Sequence, residues 1–132
     1  MPHLQVDINS GLDDDQRRAI ADSFKRLFSR VMDTGTDHIA IAIREYATYG
    51  LDIGRVTDHT LGVAQVNADV REGRSTDQRR ELALGFMHIL HDVAGVPLAH
   101  MYVTFTEHKG EDFHLEEKYL ASWESGEDPL AD

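Results

Sequence analysis

The chain repeats itself, and that constrains its fold more than any other feature of the sequence. Shifted by 62 residues, Asp7 meets Asp69, Gly11 meets Gly73, and Asp15-Gln16-Arg17-Arg18 meets Asp77-Gln78-Arg79-Arg80. Ala21 meets Ala83, Phe24 meets Phe86, Val31 meets Val93, His38 meets His100 and Glu45 meets Glu107. These 11 identities fall between residues 7 and 45 without a gap, where random pairing gives roughly two or three. The sequence therefore reads as two copies of one supersecondary unit, 2–46 and 64–108, inside a single domain spanning 1–132, with a tail over 114–132.

Both copies carry the same periodicities. Leu4, Val6 and Ile8 alternate with Gln5 and Asp7, as in a strand. Asp13 with Gln16 reads as a capping box, and Ile20, Phe24, Leu27, Phe28 and Val31 then fall at helical spacing. Ile39, Ile41 and Ile43 alternate again. In the second copy Val66, Ala68 and Val70 form the first strand, and Ser75 with Gln78 opens the helix. Leu82, Phe86, Ile89, Leu90 and Val93 form its stripe, and Met101, Val103 and Phe105 the second strand.

Each copy is thus a β-α-β unit whose crossover makes its two strands parallel. The expected fold is α+β: a four-stranded sheet with two helices on one face. The opposite face holds Gln5, Asp7, Ala40, Ala42, Gln65, Asn67, Tyr102 and Thr104, polar and small yet strand-patterned. Parallel strands are seldom open to water, so another copy of the chain is the expected cover. Residues 47–60, with Gly50, Gly54, Thr57, Asp58 and His59, read as loop with room for a short hairpin. The acidic tail carries Phe113, Tyr119, Leu120 and Trp123, which need burial and imply docking.

Composition narrows the function. Thirteen Lys and Arg against 24 Asp and Glu leave a formal charge of −11, which disfavours nucleic acid and anionic membrane surfaces. The chain has no cysteine, so disulfides, thiol catalysis and Cys-ligated zinc are excluded. No apolar run approaches the roughly 20 residues of a membrane span, and the start of the chain is no signal peptide, so a cytoplasmic location is expected.

Two sets of residues could carry chemistry. Pro2, once Met1 is removed, would be a secondary amine, and burial beside arginines would keep it neutral as a base or nucleophile. The plain alternative is a proline that starts an edge strand. Arg71 and Arg74 end a strand just before a helix N-terminus, where cations are disfavoured and an anion would gain from both guanidiniums and the free N–H groups. The first copy has Asn9 and Leu12 at these positions, so the repeat itself does not need arginine. The plain alternative is a solvated pair with Glu72 or Asp69. His88 and His91 lie three apart on the second helix without a third ligand, which reads as an exposed face. His38 and His100 sit at equivalent strand starts and read as structural; His108 and His114 flank a loop. Glu116 and Glu117 could supply a proton donor or simply an acidic surface. Metal ligation is not expected.

Met1-Pro2, the duplicated β-α-β unit and the segment Arg71-Glu72-Gly73-Arg74-Ser75-Thr76-Asp77-Gln78 together resemble the tautomerase superfamily. The branches concerned are 4-oxalocrotonate tautomerase, 5-carboxymethyl-2-hydroxymuconate isomerase, cis-3-chloroacrylic acid dehalogenase, malonate semialdehyde decarboxylase and macrophage migration inhibitory factor. The resemblance covers roughly residues 1–115. It implies a homotrimer with a central barrel, a catalytic amino-terminal Pro2, and Arg71 and Arg74 as carboxylate holders. It also implies Tyr102 and Thr104 on a strand lent to a neighbour's pocket, and Phe113 as an aromatic wall. The implied activity is a cofactor-independent isomerase moving a proton on a 2-oxo or 2-hydroxy-enoic acid. The alternatives are a hydratase or lyase of the cis-dehalogenase or decarboxylase kind, and a non-enzymatic binding or signalling trimer. The cis-dehalogenase branch has a tyrosine at the place of Thr104 and its glutamate near Leu115, which weighs against dehalogenation.

Overall fold

The computed structural model describes residues 2–114 and the backbone of Leu115, Lys118 and Tyr119. The first unit runs β1 (His3–Ile8), α1 (Asp14–Met32), β2 (Ala40–Glu45); the second runs β3 (Ala64–Arg71), α2 (Thr76–Ala94), β4 (Met101–His108). A short pairing of β5 (His114–Leu115) with β6 (Lys118–Tyr119) follows.

Both helices start as the capping pattern predicts. Asp13 and Ser75 accept from the backbone N–H of Gln16 and Gln78, whose side chains accept from the cap N–H in return. Both helices end at repeat-equivalent left-handed residues, Asp33 (φ 50°) and Gly95 (φ 73°). Ile20, Phe24, Leu27 and Phe28 of α1 and Leu82, Phe86 and Leu90 of α2 are buried on the sheet, as the stripes require; Val31, Ile89 and Val93 pack at the margin. Phe24 and Phe86 are repeat equivalents and stack on each other at 4.4 Å. A Cβ on Gly85 would come within 2.5 Å of Leu27 Cδ2, so the helices approach closely there.

The strand order is β2-β1-β3-β4. Each unit's own strands are parallel, while β1 and β3 meet antiparallel at the centre. Gln5 pairs with Asn67, its own equivalent (5 + 62 = 67), so a local twofold axis passes through that pair. Side chains obey the same axis. Gln16 Nε2 donates to Val93 O at 3.2 Å, and Gln78 Nε2 donates to Val31 O at 3.3 Å. Arg17 pairs with Glu45, and Arg79 with Glu107.

Leu4, Val6, Ile8, Val66, Ala68 and Val70 point into the core under the helices. Among the described residues no element covers the opposite face, where Tyr102 and Thr104 are exposed. Residues 47–60 form no hairpin. They fold as turns and a 3-10 turn (His59–Leu61) around a second apolar cluster of Leu51, Val56 and Val63. Gly50 N bonds to Ala47 O and Val56 N to Ile53 O, so these backbone groups are satisfied locally rather than across a ladder. Phe113 is half-buried; Leu120, Trp123 and the ring of Tyr119 lie outside the described residues, as do Met1, Glu116 and Glu117.

Candidate functional site

The antiparallel centre brings the start of β1 beside the ends of β3 and β4. His3 pairs with Asp69, and Arg71 with His108, so Pro2 and Arg71 lie at one end of the sheet. Pro2 is buried, and its carbonyl accepts from Ala40 N at 3.1 Å, which fixes the start of the chain against β2. Beyond Arg71 the chain turns through Gly73 at φ 97°, a left-handed conformation that glycine adopts without strain, and Arg74 folds inward before the α2 cap at Ser75.

Arg74 is 9% exposed. The Nε atoms of both Arg71 and Arg74 are buried, and neither has a hydrogen-bond partner among the described residues. Burial, and then the charge of Arg71 nearby, pulls the proton affinity of the Arg74 guanidinium down. The anticipated neutralising pairs with Glu72 or Asp69 do not form: Asp69 is taken by histidines. Two close cations with unused donors at the N-terminus of a 19-residue helix make an anion-binding arrangement.

The same corner holds His3, and it joins Asp69 and His108 in a contact not anticipated from the sequence. His108 Nε2 lies 3.1 Å from Asp69 Oδ1, and His3 Nδ1 lies 3.7 Å from Asp69 Oδ2. Phe113 meets the His108 ring edge-on at 5.6 Å. A signal was present: Asp7 and Asp69 are identical repeat positions on the non-core face of their strands, and an acid retained twice there calls for partners.

Tyr102 and Thr104 lie elsewhere. Tyr102 pairs with Gln65 and His108 with Arg71, so six residues separate their levels, roughly 20 Å along the strand. With Gln65, Val66 and Asn67 they line a small polar depression of about 170 Å³. Thr104 and Thr106 both donate to Asn67 Oδ1, at 3.1 and 3.3 Å. Within one chain, therefore, Pro2, Arg71, Arg74 and Phe113 gather at one end, and Tyr102 and Thr104 do not join them.

The remaining candidates take structural or surface roles. His38 is buried with Nε2 3.1 Å from Thr34 Oγ1, and His100 Nδ1 is 3.0 Å from Gly62 O. His88 and His91 are exposed. Among the described residues no cluster of three metal-ligating side chains occurs, and no helix is long and apolar enough to cross a membrane.

No protein-family model matches the sequence, and no curated protein matches it. Solved structures do. A member of the cis-3-chloroacrylic acid dehalogenase family superposes with a TM-score of 0.80 at 24% identity, over 94% of this chain and 85% of that one. A fused 4-OT, an asymmetric trimer, gives 0.75 at 19% identity, over 89% and 94%. A macrophage migration inhibitory factor-like protein from Entamoeba histolytica gives 0.75 at 17%, over 90% and 98%. All three belong to one superfamily despite their low mutual likeness to this sequence, and what they share with it is the paired β-α-β sheet under two helices. The chain has the fold of the tautomerase superfamily.

Proposed function

We propose that this protein is a cofactor-independent tautomerase acting on a 2-oxo or 2-hydroxy-enoic acid in the cytoplasm, with Pro2 as its amino-terminal base. The observation that carries the reading is the pair of buried, unpartnered Nε donors of Arg71 and Arg74 at the α2 N-terminus, at the Pro2 end of the sheet. An unpaired buried cation is costly to keep. A substrate carboxylate would neutralise it.

Removal of Met1 makes Pro2 a secondary amine. Burial disfavours its charged form, and two guanidiniums act in the same direction. The neutral nitrogen takes a proton from the enol hydroxyl or the α-carbon and returns it elsewhere on the conjugated chain. The substrate's own carbonyl stabilises the carbanion, and Phe113 walls the site. A backbone N–H, or Tyr102 and Thr104 of a neighbouring copy, steadies the developing oxyanion. That last role needs a neighbouring copy, which a homotrimer would supply, because one chain holds its own Tyr102 and Thr104 away from its own arginines. The trimer would also cover the open sheet face, and the fused 4-OT of the same fold is a trimer.

The test is turnover of phenylenolpyruvate or 2-hydroxymuconate by protein whose intact mass shows Met1 removed. Pro2→Ala should keep the fold and lose about 10²- to 10⁴-fold in rate. Unchanged turnover in that variant, or full activity with Met1 attached, rejects the mechanism. Halide release from 3-haloacrylates would turn the reading to a hydratase. The absence of any turnover, with Pro2 untouched by a halopropiolate, would leave a binding trimer.

A further inference from the structure

Building on that tautomerase reading, we propose that His108, held by Asp69, is the second proton-handling residue of the site and works opposite Pro2. His108 stands directly across from Arg71 on the neighbouring parallel strand, so the two side chains leave the same face of the sheet side by side. A carboxylate bound to Arg71 therefore brings the rest of its molecule next to the imidazole. Pro2 is one residue, about 3.8 Å of backbone, from His3, which pairs with Asp69.

The imidazole is fixed rather than loose. Asp69 only accepts hydrogen bonds, so the His108 Nε2 at 3.1 Å carries the hydrogen and Nδ1 becomes the ring atom that exchanges a proton. Glu72 N donates to His108 O at 2.7 Å and anchors the backbone. Phe113 packs edge-on against the ring. A carboxylate that sets the tautomer of a histidine beside a substrate-holding cation is the arrangement used for acid-base work.

The repeat supplies an internal control. Asp7, the equivalent of Asp69, accepts from Arg44 at 2.7 Å, Tyr46 at 2.9 Å and Gln65 at 3.3 Å. Around Asp69 the three equivalent places are held by Thr106, His108 and His3 (44 + 62, 46 + 62 and 65 − 62). The scaffold thus needs an aspartate with donors around it. It does not need imidazole, which occurs at the end where Pro2 and the arginines lie.

In the step itself, the Pro2 nitrogen takes one proton and becomes a secondary ammonium. The His108 imidazolium gives one proton through Nδ1 to the far end of the conjugated system and becomes neutral. The substrate keeps its proton count, and water returns the proton from Pro2 to His108. Among the described residues, the charged and titratable groups paired with His108 or near it along the chain are Asp69 and Arg71 on β3, Glu72 just after it, His3 on β1 behind Asp69, and Glu107, Lys109, Glu111, Asp112 and His114 on its own segment.

The experiment is the pH profile of phenylenolpyruvate turnover for His108→Gln, Asp69→Asn and Tyr46→Phe. His108→Gln should lower kcat about 10²-fold with KM within threefold, and should change the shape of the pH profile. Asp69→Asn should lower kcat about tenfold, and Tyr46→Phe should leave it unchanged. A kcat within threefold of wild type and an unaltered profile in His108→Gln overturn the assignment; if Pro2→Ala is inactive in the same assay, the Pro2 reading survives that failure. No turnover by the wild type overturns both. Should His108→Gln unfold, the ring resonances of ¹³C-labelled histidine in the wild type decide. The His108 signal shifts on adding phenylpyruvate if the residue lines the site, and an unmoved signal overturns the proposal.

Discussion

The two ends of the sheet are built alike and furnished differently. At one end the first unit places Asn9 and Leu12; at the other the second unit places Arg71 and Arg74. Asn9 is fully used: its amide donates to Thr48 O and His59 O, and its oxygen accepts from Val63 N. Leu12, 7% exposed, joins the main core, and Leu51 packs with Val56 and Val63 in a separate cluster under the loop. Arg74 is buried just as deeply, at 9%, yet its Nε donor and that of Arg71 stay unmet by the described residues. Where Leu51 is buried in the loop cluster, its equivalent Phe113 (51 + 62) stands half-buried beside His108. One end is thus a finished piece of core, and the other is a piece of core left incomplete. Duplication supplied the scaffold twice, and a handful of side chains decided which copy keeps buried donors unmet by the described residues.

Exchanging residues between the ends tests this directly. The largest effect should come from Leu12→Arg. It places a guanidinium at a position that joins the main core, and should lower stability by about 3 kcal/mol in urea unfolding. A loss under 1 kcal/mol would mean that a guanidinium is tolerated at either end, and the contrast would fail. The reverse exchange, Arg74→Leu, should raise stability by about 1 kcal/mol and, if the proposed site binds 2-oxo carboxylates, should remove the thermal protection they are expected to give the wild type. Retained protection would place the anion site elsewhere. Arg71→Asn, which copies Asn9, should weaken carboxylate binding about tenfold in calorimetry, the value of one charge-assisted contact.

The smallest effect distinguishes the two aspartates. Burial is the strongest single influence on the Asp7 carboxyl and pushes it up. Hydrogen bonds from Arg44, Tyr46 and Gln65, with the charge of Arg44, outweigh it and hold the group below the ordinary aspartate range. A lowered folded-state value gives stability that is complete above the unfolded carboxyl's pKa, near pH 4, and that fades as pH falls through the lowered value. Asp7→Asn should therefore flatten the acid side of the melting temperature profile below about pH 4. Asp69→Asn, under the proposed role of His108, should show itself in turnover. Equal acid profiles for wild type and Asp7→Asn would remove the structural role assigned to Asp7.

Much of this was legible in one dimension. Alternation at Leu4, Val6 and Ile8, the stripe from Ile20 to Phe28 and the boxes at Asp13 and Ser75 are local patterns. Each depends on residues a few positions apart, which is why they survive without tertiary context. Arg71 and Arg74 could also be singled out, because their twins Asn9 and Leu12 are different in kind. The loop over 47–60 offered turn residues compatible with a hairpin, and local backbone bonds within the loop, not strand pairing, satisfied it.

The sequence by itself determined the two β-α-β units, their helix faces and the candidate cations, since short-range periodicity and capping fix these before any distant contact forms. Only the tertiary structure decided that β1 and β3 run antiparallel through a twofold axis. That pairing is long-range, and it brings Pro2 to the end where Arg71, Asp69 and His108 meet, from three strands that lie up to about 105 residues apart in the chain. It likewise decided that Asp7 is paired with Arg44 and that the Nε donors of Arg71 and Arg74 stay unmet by the described residues, because whether a buried charge finds a partner depends on neighbours that no local pattern specifies.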